Sequence, residues 1–297
     1  MTAPAGDYRL AMSCERRHVL ITGTSSGIGA ATMTAGLAEG WHVFAGTRGA
    51  PGETESGDGV RTDVHLDVTS ESDIATAMGV IADHVGERGL DGLANIAGIG
   101  IPGPLEIMPM AELRQSFEVD FFGQVALTQQ TIPLLRPARG RIVFIGSLVD
   151  RLTLPFFGAL ATSKSAVASL ADTWRQELAP WGIHVALVEP GFISTGADEA
   201  TKARIDRLIA DMTPAQSALY GAMFTTLTER GFKAQTSGSS PDGVAEVILD
   251  ALTSKRPRDH YLTGSKAHIG ALVAKLPQPW QDRMKRKAFD QPAPGSL

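Results

Sequence analysis

The sequence predicts an α/β protein built on a doubly wound parallel sheet. Short apolar runs alternate with stretches of helix length, and the runs are apolar on both faces. A glycine-rich segment follows the first run directly. Strands buried on both faces of a parallel sheet have such continuous apolar character, and their alternation with helices is typical of doubly wound folds. We expect one domain over residues 1–297.

Each element follows from its own pattern. Apolar runs predict strands at residues 18–22, 41–47, 62–66, 89–96, 141–147 and 183–189. Longer periodic stretches predict helices at residues 28–39, 72–85, 110–135, 163–179 and 241–253. Residues 196–240 form a helical insertion rich in Met, Ala and Thr, at the edge of the sheet where strands open into a ligand crevice. We expect a substrate lid here; an extra pair of packing helices is the alternative, and both can hold.

Composition excludes several function classes. A net charge of −5 argues against a nucleic-acid surface, and the basic run at residues 283–287 is interpreted as a solvated helix end. Cys14 is the single cysteine, so no intramolecular disulfide is expected, which fits a cytoplasmic protein. No apolar window reaches about 18 residues, the length of a membrane span. We therefore expect no membrane partner, no nucleic-acid partner and no metal.

The glycine-rich segment predicts a dinucleotide site of the Rossmann type. It runs from Thr22 to Gly29, between the first strand and the first helix. Glycines allow a tight turn and close approach of a pyrophosphate, whose charge meets the helix N-terminus. The candidate contacts are Gly23, Ser25, Ser26, Gly27, Ile28 and Gly29.

Arg48 decides the expected choice between nicotinamide cofactors. An acidic residue at the end of the second strand would bind a ribose 2′-hydroxyl and repel a 2′-phosphate. This chain has Thr47-Arg48-Gly49 there instead. A guanidinium suits bidentate phosphate contact, so NADP(H) is the expected cofactor. A surface arginine without a ligand is the alternative.

Further motifs occur in an order that resembles the short-chain dehydrogenase/reductase family. Asn95-Ile96-Ala97-Gly98 is similar to the family's Asn-Asn-Ala-Gly segment, and Ser147 ends the fifth predicted strand. Lys164 lies on the next helix, and a Pro190-Gly191 pair follows the sixth strand. The resemblance covers residues 17–262 and is greatest to the retinol and hydroxysteroid dehydrogenase branch.

The resemblance implies a role for each matching position. Asp67 and Val68 would contact the adenine, and Asn95, Ala97 and Gly98 would lie on the ribose side. Lys164 would bind the nicotinamide ribose. Ile193 and Thr195 would contact the nicotinamide carboxamide and phosphates. The same cofactor-binding loop would include Pro190 and Gly191. Two of these residues have a purely structural alternative. Asn95 could serve just to tie strands together, and Asp67 could serve just to cap a helix. Homo-oligomers built through helices 110–135 and 163–179 are a further implication.

The catalytic group departs from the family. Its pattern is Asn-Ser-Tyr-Lys; this chain keeps Ser147 and Lys164, has Asp120 at the asparagine position and Leu160 at the tyrosine position. Leucine cannot donate a proton, and positioned acid catalysis contributes roughly a hundredfold to ten-thousandfold. Asp120 could pair with Lys164, or it could be an exposed helix carboxylate.

Three hypotheses account for the missing tyrosine. In the first, a ketoreductase receives the proton from a hydroxyl on its own small-molecule substrate, a large aromatic ketone. Leu160, Phe156 and Tyr220 would line its pocket, as expected of a tyrosine-less member acting on polyketide-like rings. Tyr220 could instead replace the acid. The others are a catalytically silent NADP(H)-binding protein, and a redox-neutral epimerase, dehydratase or cyclase with Asp120 as base.

Overall fold

The computed structural model describes residues 16–56, 58–195 and 198–296. The strands are His18–Thr22 (β1), His42–Thr47 (β2), Gly52–Ser56 (β3), Gly59–His65 (β4), Gly92–Asn95 (β5), Arg141–Ile145 (β6), His184–Pro190 (β7) and His260–Thr263 (β8). The helices are Gly27–Ala38 (α1), Glu71–Val85 (α2), Met110–Phe117 (α3), Gly123–Ala138 (α4), Leu148–Arg151 (α5), Gly158–Leu178 (α6), Asp198–Ala210 (α7), Pro214–Gln216 (α8), Ala222–Thr236 (α9), Pro241–Thr253 (α10), Ala267–Val273 (α11) and Gln278–Phe289 (α12). Cys14 lies outside the described residues.

The strands form one sheet in the order β3-β4-β2-β1-β5-β6-β7-β8. All described pairings are parallel except β3 with β4. The order reverses between β1 and β5, which makes that junction the switch point where open α/β sheets bind ligands. The predicted doubly wound fold is confirmed.

Helices cover both faces of the sheet. Successive strand residues point to opposite faces, so Leu20 and Ile21 of β1 enter different cores. One core packs against α2, α4 and α6 and includes Leu20, Phe44, Ile81, Leu127, Phe144 and Trp174. The other packs against α1 and α10 and includes Ile21, Met33, Val43, Val143 and Ile248. Burial on both faces explains the continuous apolar runs in the sequence.

Several elements differ from the sequence-based expectation, and four of them bear on the sheet or on the helices around the site. β3 is polar and lies at the sheet edge, and β8 was not predicted as a strand. The helix expected at residues 110–135 is interrupted by a π-helical turn at Glu118–Phe122. The helix expected from residue 163 begins at Gly158, so Leu160 lies inside α6.

The segment after β7 is helical, as expected, and packs beside the strand ends. Arg204 of α7 binds Glu112 of α3 at 3.2 Å and donates to Gln115. Tyr220, in a π-helical turn between α8 and α9, donates to the carboxylate of Glu106. Within the described residues, no helix has both the length and the apolar character that a membrane crossing requires.

Candidate active site

The glycine-rich loop has the backbone geometry that a phosphate cradle needs. Gly23 and Gly27 have φ angles of 69° and 54°, which favour glycine. A Cβ on Gly29 would lie 2.1 Å from the carbonyl oxygen of Gly23, so only glycine lets α1 begin this close to β1. Ser26 is the N-cap residue of α1, but its side chain accepts no capping hydrogen bond, and the first turn contains no acidic residue. The loop therefore presents a helix N-terminus suited to an anion.

The loop after β7 meets the glycine-rich loop. A Cβ on Gly27 would lie 3.0 Å from the Cβ of Thr195. Gly191 is close to the chain after β8, where an added Cβ would lie 2.1 Å from the Ser265 carbonyl oxygen. Pro190 and Ile193 are buried. The structure thus brings two predicted cofactor segments together across the switch point, which is the arrangement that a dinucleotide would fit.

The adenine-side residues lie on neighbouring strand ends. Arg48 directly follows β2, with an exposed side chain. Asp67 follows β4, and its carboxylate accepts hydrogen bonds from the Thr69 N–H at 2.9 Å and the Thr69 hydroxyl at 2.7 Å. The N-cap of α2 is Ser70, so Asp67 is not the capping residue. Val68 is buried beside α4. The contacts of Arg48, Asp67 and Val68 with a cofactor stay predictions.

Asn95 has a structural partner as well as a free acceptor. It is fully buried at the end of β5, and its amide nitrogen donates to Thr128 of α4 at 3.0 Å. The bond ties a strand to a helix, whereas the structural alternative was a tie between strands. Its side-chain oxygen has no hydrogen-bond partner. The neighbouring Ala97 N–H donates to Thr22 at 2.9 Å, which fixes this loop to β1.

Ser147 and the Lys164 ammonium lie near the end of β6, and Leu160 precedes Lys164 by one turn of α6. Ser147 is the N-cap residue of α5, and its hydroxyl oxygen accepts from the Val149 N–H at 3.3 Å, which leaves its hydrogen free to be donated. Lys164 is buried and donates to the Ile145 carbonyl at 2.9 Å. Leu160 is partly buried one turn before Lys164, on the same helix face. An alkyl group therefore occupies the helix position four residues before Lys164.

Asp120 is a buried acceptor, and the expectation of an exposed carboxylate is wrong. It has no exposed surface and lies in the π-helical turn. Its carboxylate accepts from the Ile99 N–H at 2.8 Å and from the Ser163 hydroxyl at 2.9 Å. Among the described ion pairs there is none between Asp120 and Lys164, although both groups border Gly98. A buried carboxylate needs hydrogen-bond donors, and Asp120 takes them from the loop after β5 and from α6. Asp120 therefore holds that loop against α6.

The sequence belongs with a known family. Residues 17–206 match the family model described as short chain dehydrogenase, which covers more than half of the chain. The chain belongs to the short-chain dehydrogenase family. Several relatives share about a third of their residues with it.

The relatives differ in the activities that their names describe. Retinol dehydrogenase 16 of Mus musculus is 33% identical over 85% of this chain and 82% of its own. The NADPH-dependent 3-dehydrocapnine reductase of Ornithobacterium rhinotracheale is 31% identical over 92% of this chain and 96% of its own. The 11-beta-hydroxysteroid dehydrogenase type 2 of Homo sapiens is 34% identical over 84% of this chain, which spans 64% of the human protein.

Solved structures share the fold of this short-chain dehydrogenase. A short chain dehydrogenase from Burkholderia cenocepacia, solved in complex with NADP, has a TM-score of 0.66 and 24% identity. It covers 91% of this chain and 96% of its own. A short-chain dehydrogenase from Streptomyces avermitilis has a TM-score of 0.69 and 24% identity, over 93% and 96% of the two chains.

Asp150 lies beside Ser147, and the sequence did not single it out. Its carboxylate accepts from the Ser147 N–H at 3.0 Å, and its second oxygen is buried with no hydrogen-bond partner. Burial raises the pKa of Asp150 to about 7, and the Glu189 carboxylate beside it adds to the rise. Glu189 is itself bound by Arg151. An acid in the first turn of a helix is ordinarily exposed, so only the packing of α5 against β7 reveals this pair.

An apolar cavity of about 490 Å³ lies beside the start of α6. Phe156 and Tyr220 line it, whereas Leu160 is not among its lining residues. The full lining comprises Pro104, Leu105, Thr153, Leu154, Pro155, Phe156, Gly158, Ala161, Thr162 and Tyr220. Phe156 has a φ of 62° and packs edge-on against Tyr220 and Phe224. Positive φ is rare for an aromatic residue, so contacts with α9 and the turn before it hold this loop.

Proposed function

We propose that this short-chain dehydrogenase is an NADPH-dependent ketoreductase of a large aromatic hydroxy-ketone. The substrate's own hydroxyl would supply the proton that the family's tyrosine normally provides. The observation that carries the proposal is Leu160, which shares a helix face with Lys164 and follows a retained Ser147. The reductive machinery is kept while its acid is absent.

NADP(H) fits the residues at the switch point. The uncapped start of α1 is open to phosphate, and a bulkier residue at Gly29 would close the turn against Gly23. Arg48 lies at the strand end where a 2′-phosphate would be bound. The 3-dehydrocapnine reductase is named as NADPH-dependent, and the Burkholderia structure holds NADP. When bound, the reduced nicotinamide supplies the hydride.

Each retained side chain has a defined task. The Ser147 hydroxyl donates a hydrogen bond to the ketone oxygen, and Lys164 places a positive charge near the developing oxyanion. Asp120 positions the loop after β5 through its bonds to Ile99 and Ser163. Lys164 is anchored by the Ile145 carbonyl, so its ammonium is fixed near the strand end.

Tyr220 is a poor replacement acid. Its hydroxyl already donates to Glu106, and this bond raises the pKa of Tyr220 above its ordinary value. Proton donation would require breaking a hydrogen bond to a carboxylate, which is stronger than one to a neutral group. The structure therefore favours a cavity wall as the role of Tyr220.

A substrate with an acidic hydroxyl beside its ketone would replace the missing proton donor. Such a hydroxyl bonds the carbonyl internally, protonates the alkoxide and leaves a delocalised phenolate. The apolar cavity of about 490 Å³, with Phe156 on its wall, suits a flat ring system. Hydroxylated aromatic polyketides have this chemistry, and the chain resembles the angucyclinone ketoreductase of simocyclinone biosynthesis in lacking the tyrosine. Antibiotic biosynthesis, a cytoplasmic location and homo-oligomers belong to the same proposal.

The silent cofactor-binding protein is the second candidate, because Leu160 alone would also follow from a lost activity. The redox-neutral hypothesis needs Asp120 as a base, and Asp120 is buried and bound by the Ile99 N–H and the hydroxyls of Ser116 and Ser163. The test is incubation of the enzyme with hydroxy-ketones and NADPH deuterated at nicotinamide C4. Deuterium on the new carbinol carbon is the expected result. Product without deuterium from either C4 epimer would indicate redox-neutral chemistry, and cofactor binding without product would indicate a silent protein.

A further inference from the structure

The C-terminal helices α11 and α12 expose an unusual amount of apolar surface. They carry four of the ten strongly exposed large apolar side chains in the described part of the chain. Ile269, Leu272 and Trp280 are 66%, 65% and 66% exposed, and Met284 is 47% exposed. We define these four residues as the apolar patch. Soluble surfaces rarely cluster such side chains without a partner.

The patch is arranged in stripes that also contain cations. Trp280, Arg283, Met284 and Lys287 follow one another at helical spacing on α12, and all four are exposed. On α11, Ile269 and Leu272 are three residues apart and Lys275 follows three residues later. The apolar and the cationic groups therefore share the same faces.

The charge of this segment is opposite to that of the molecule. Residues 266–290 contain six Lys or Arg and two Asp, whereas the whole chain has a net charge of −5. A two-fold contact between copies through this face would bring Arg283 and Lys287 against their own equivalents, and like charges oppose it. The sign of the charge favours an anionic partner.

We propose that α11 and α12 bind an anionic phospholipid surface. Tryptophan and aliphatic side chains interleaved with Lys and Arg are the pattern by which amphipathic helices lie in a lipid interface, without crossing it. Helix α12 is already tied to the end of α11, because Gln281 donates to the carbonyls of Ala274 and Leu276 at 3.0 and 2.9 Å. The proposal departs from the sequence-based expectations of a solvated helix end at residues 283–287 and of no membrane partner.

The surface is joined to the lid segment. Arg230 of α9 donates to the Ala288 carbonyl at 2.7 Å and pairs with Asp290 at 3.4 Å. With α12 bound to lipid, α9 would be held at the lipid interface, where apolar aromatic ketones accumulate. That consequence rests on the proposed function, whereas lipid binding does not.

The test is co-sedimentation of the full-length protein with vesicles of phosphatidylglycerol and phosphatidylcholine, and with vesicles of phosphatidylcholine alone. We expect binding to the anionic vesicles only, weakened by salt. Arg283→Glu with Lys287→Glu should weaken it at least about tenfold. Lys255→Glu with Arg256→Glu makes the same change in net charge at an exposed site after α10 and should weaken it much less.

Tryptophan fluorescence gives an independent readout. In a Trp181→Phe background, the emission of Trp280 should shift to shorter wavelength on anionic vesicles, because Trp41 and Trp174 are already buried. Absence of vesicle binding at low salt would overturn the proposal. Equal weakening by the two charge-reversal pairs would also overturn it, as would self-association that Trp280→Ser abolishes in the absence of vesicle binding. Cofactor oxidation is not measured, so failure here would leave the proposed reaction intact.

Discussion

Leu160 is the residue on which the proposed chemistry rests. It lies on α6 one turn before Lys164, so a tyrosine at this position would share a helix face with that lysine. The sequence was sufficient to locate it, because the motif spacing from Ser147 identifies the position. It could not show that α6 begins at Gly158, which places Leu160 within a regular helix.

Leu160→Tyr should restore an acid to the site. We expect reduction of aryl ketones without a neighbouring hydroxyl to rise about a hundredfold or more, the usual contribution of a positioned acid. NADPH oxidation measures the change. Leu160→Phe is the matched control, since it adds the ring without the hydroxyl and should give no gain. Equal gains from both variants would show that pocket shape limits the reaction.

Asp150 should make the protein less stable as pH rises. Its folded-state pKa of about 7 lies above the unfolded value of 3.8, so the folded state holds more protons between these values. Stability is therefore lost as pH rises through this window, at up to about 1.4 kcal/mol per pH unit for one proton. Asp150→Asn should remove this loss and raise the unfolding free energy above pH 7. Chemical denaturation at a series of pH values measures it; an unchanged pH profile would contradict the buried acid pair.

Among the elements, those with a strong apolar pattern were predictable and those without were not. β1 and α10 match their expected bounds, because burial determines both sequence and structure there. β3 has no apolar alternation, and as an edge strand it is specified by pairing with β4. The π-helical turn depends on a shifted hydrogen-bond pattern around Asp120, which residue types alone do not reveal.

The start of α1 makes a prediction at the element scale. Gly29→Ala would place a methyl group 2.1 Å from the Gly23 carbonyl oxygen, so the loop must shift. We expect NADPH affinity to fall at least about tenfold, equivalent to about 1.4 kcal/mol, in a protein that still folds. Calorimetric titration measures the affinity. Gly79→Ala is the control, because a methyl group there meets no atom within 4 Å; equal affinity of both variants would argue against this cradle.

At the scale of the whole molecule, the carboxyl and amino ends of the parallel strands carry different groups of residues. The carboxyl ends of the strands hold the candidate site, whereas the amino ends of β1 and β2 hold a cluster of aromatic and imidazole rings. His42 stacks on Phe44 with centroids 4.4 Å apart, and its ring bonds Thr62 at 2.8 Å. His18 and His84 pack edge-on against it. The sequence predicted both strands but not that these histidines meet.

The histidine cluster should limit stability in acid. Burial, together with smaller contributions from charge repulsion by His18 and His84, lowers the pKa of His42 from 6.5 to about 4. The unfolded state binds the proton more readily, so stability falls as pH drops from 6.5 towards 4. His42→Gln should reduce this acid loss relative to the parent, as urea unfolding at matched pH values would show. A steeper loss in the variant would contradict the buried neutral imidazole.

At the scale of the whole reaction, the proposed substrate supplies the proton that the site lacks. The most direct test is NADPH oxidation with a polycyclic aryl ketone that carries a neighbouring hydroxyl, compared with its methyl ether. We expect turnover of the hydroxyl compound and about a hundredfold or greater loss with the ether, because Leu160 supplies no proton. Equal turnover of both compounds would contradict substrate-assisted protonation and show that the protein provides the acid.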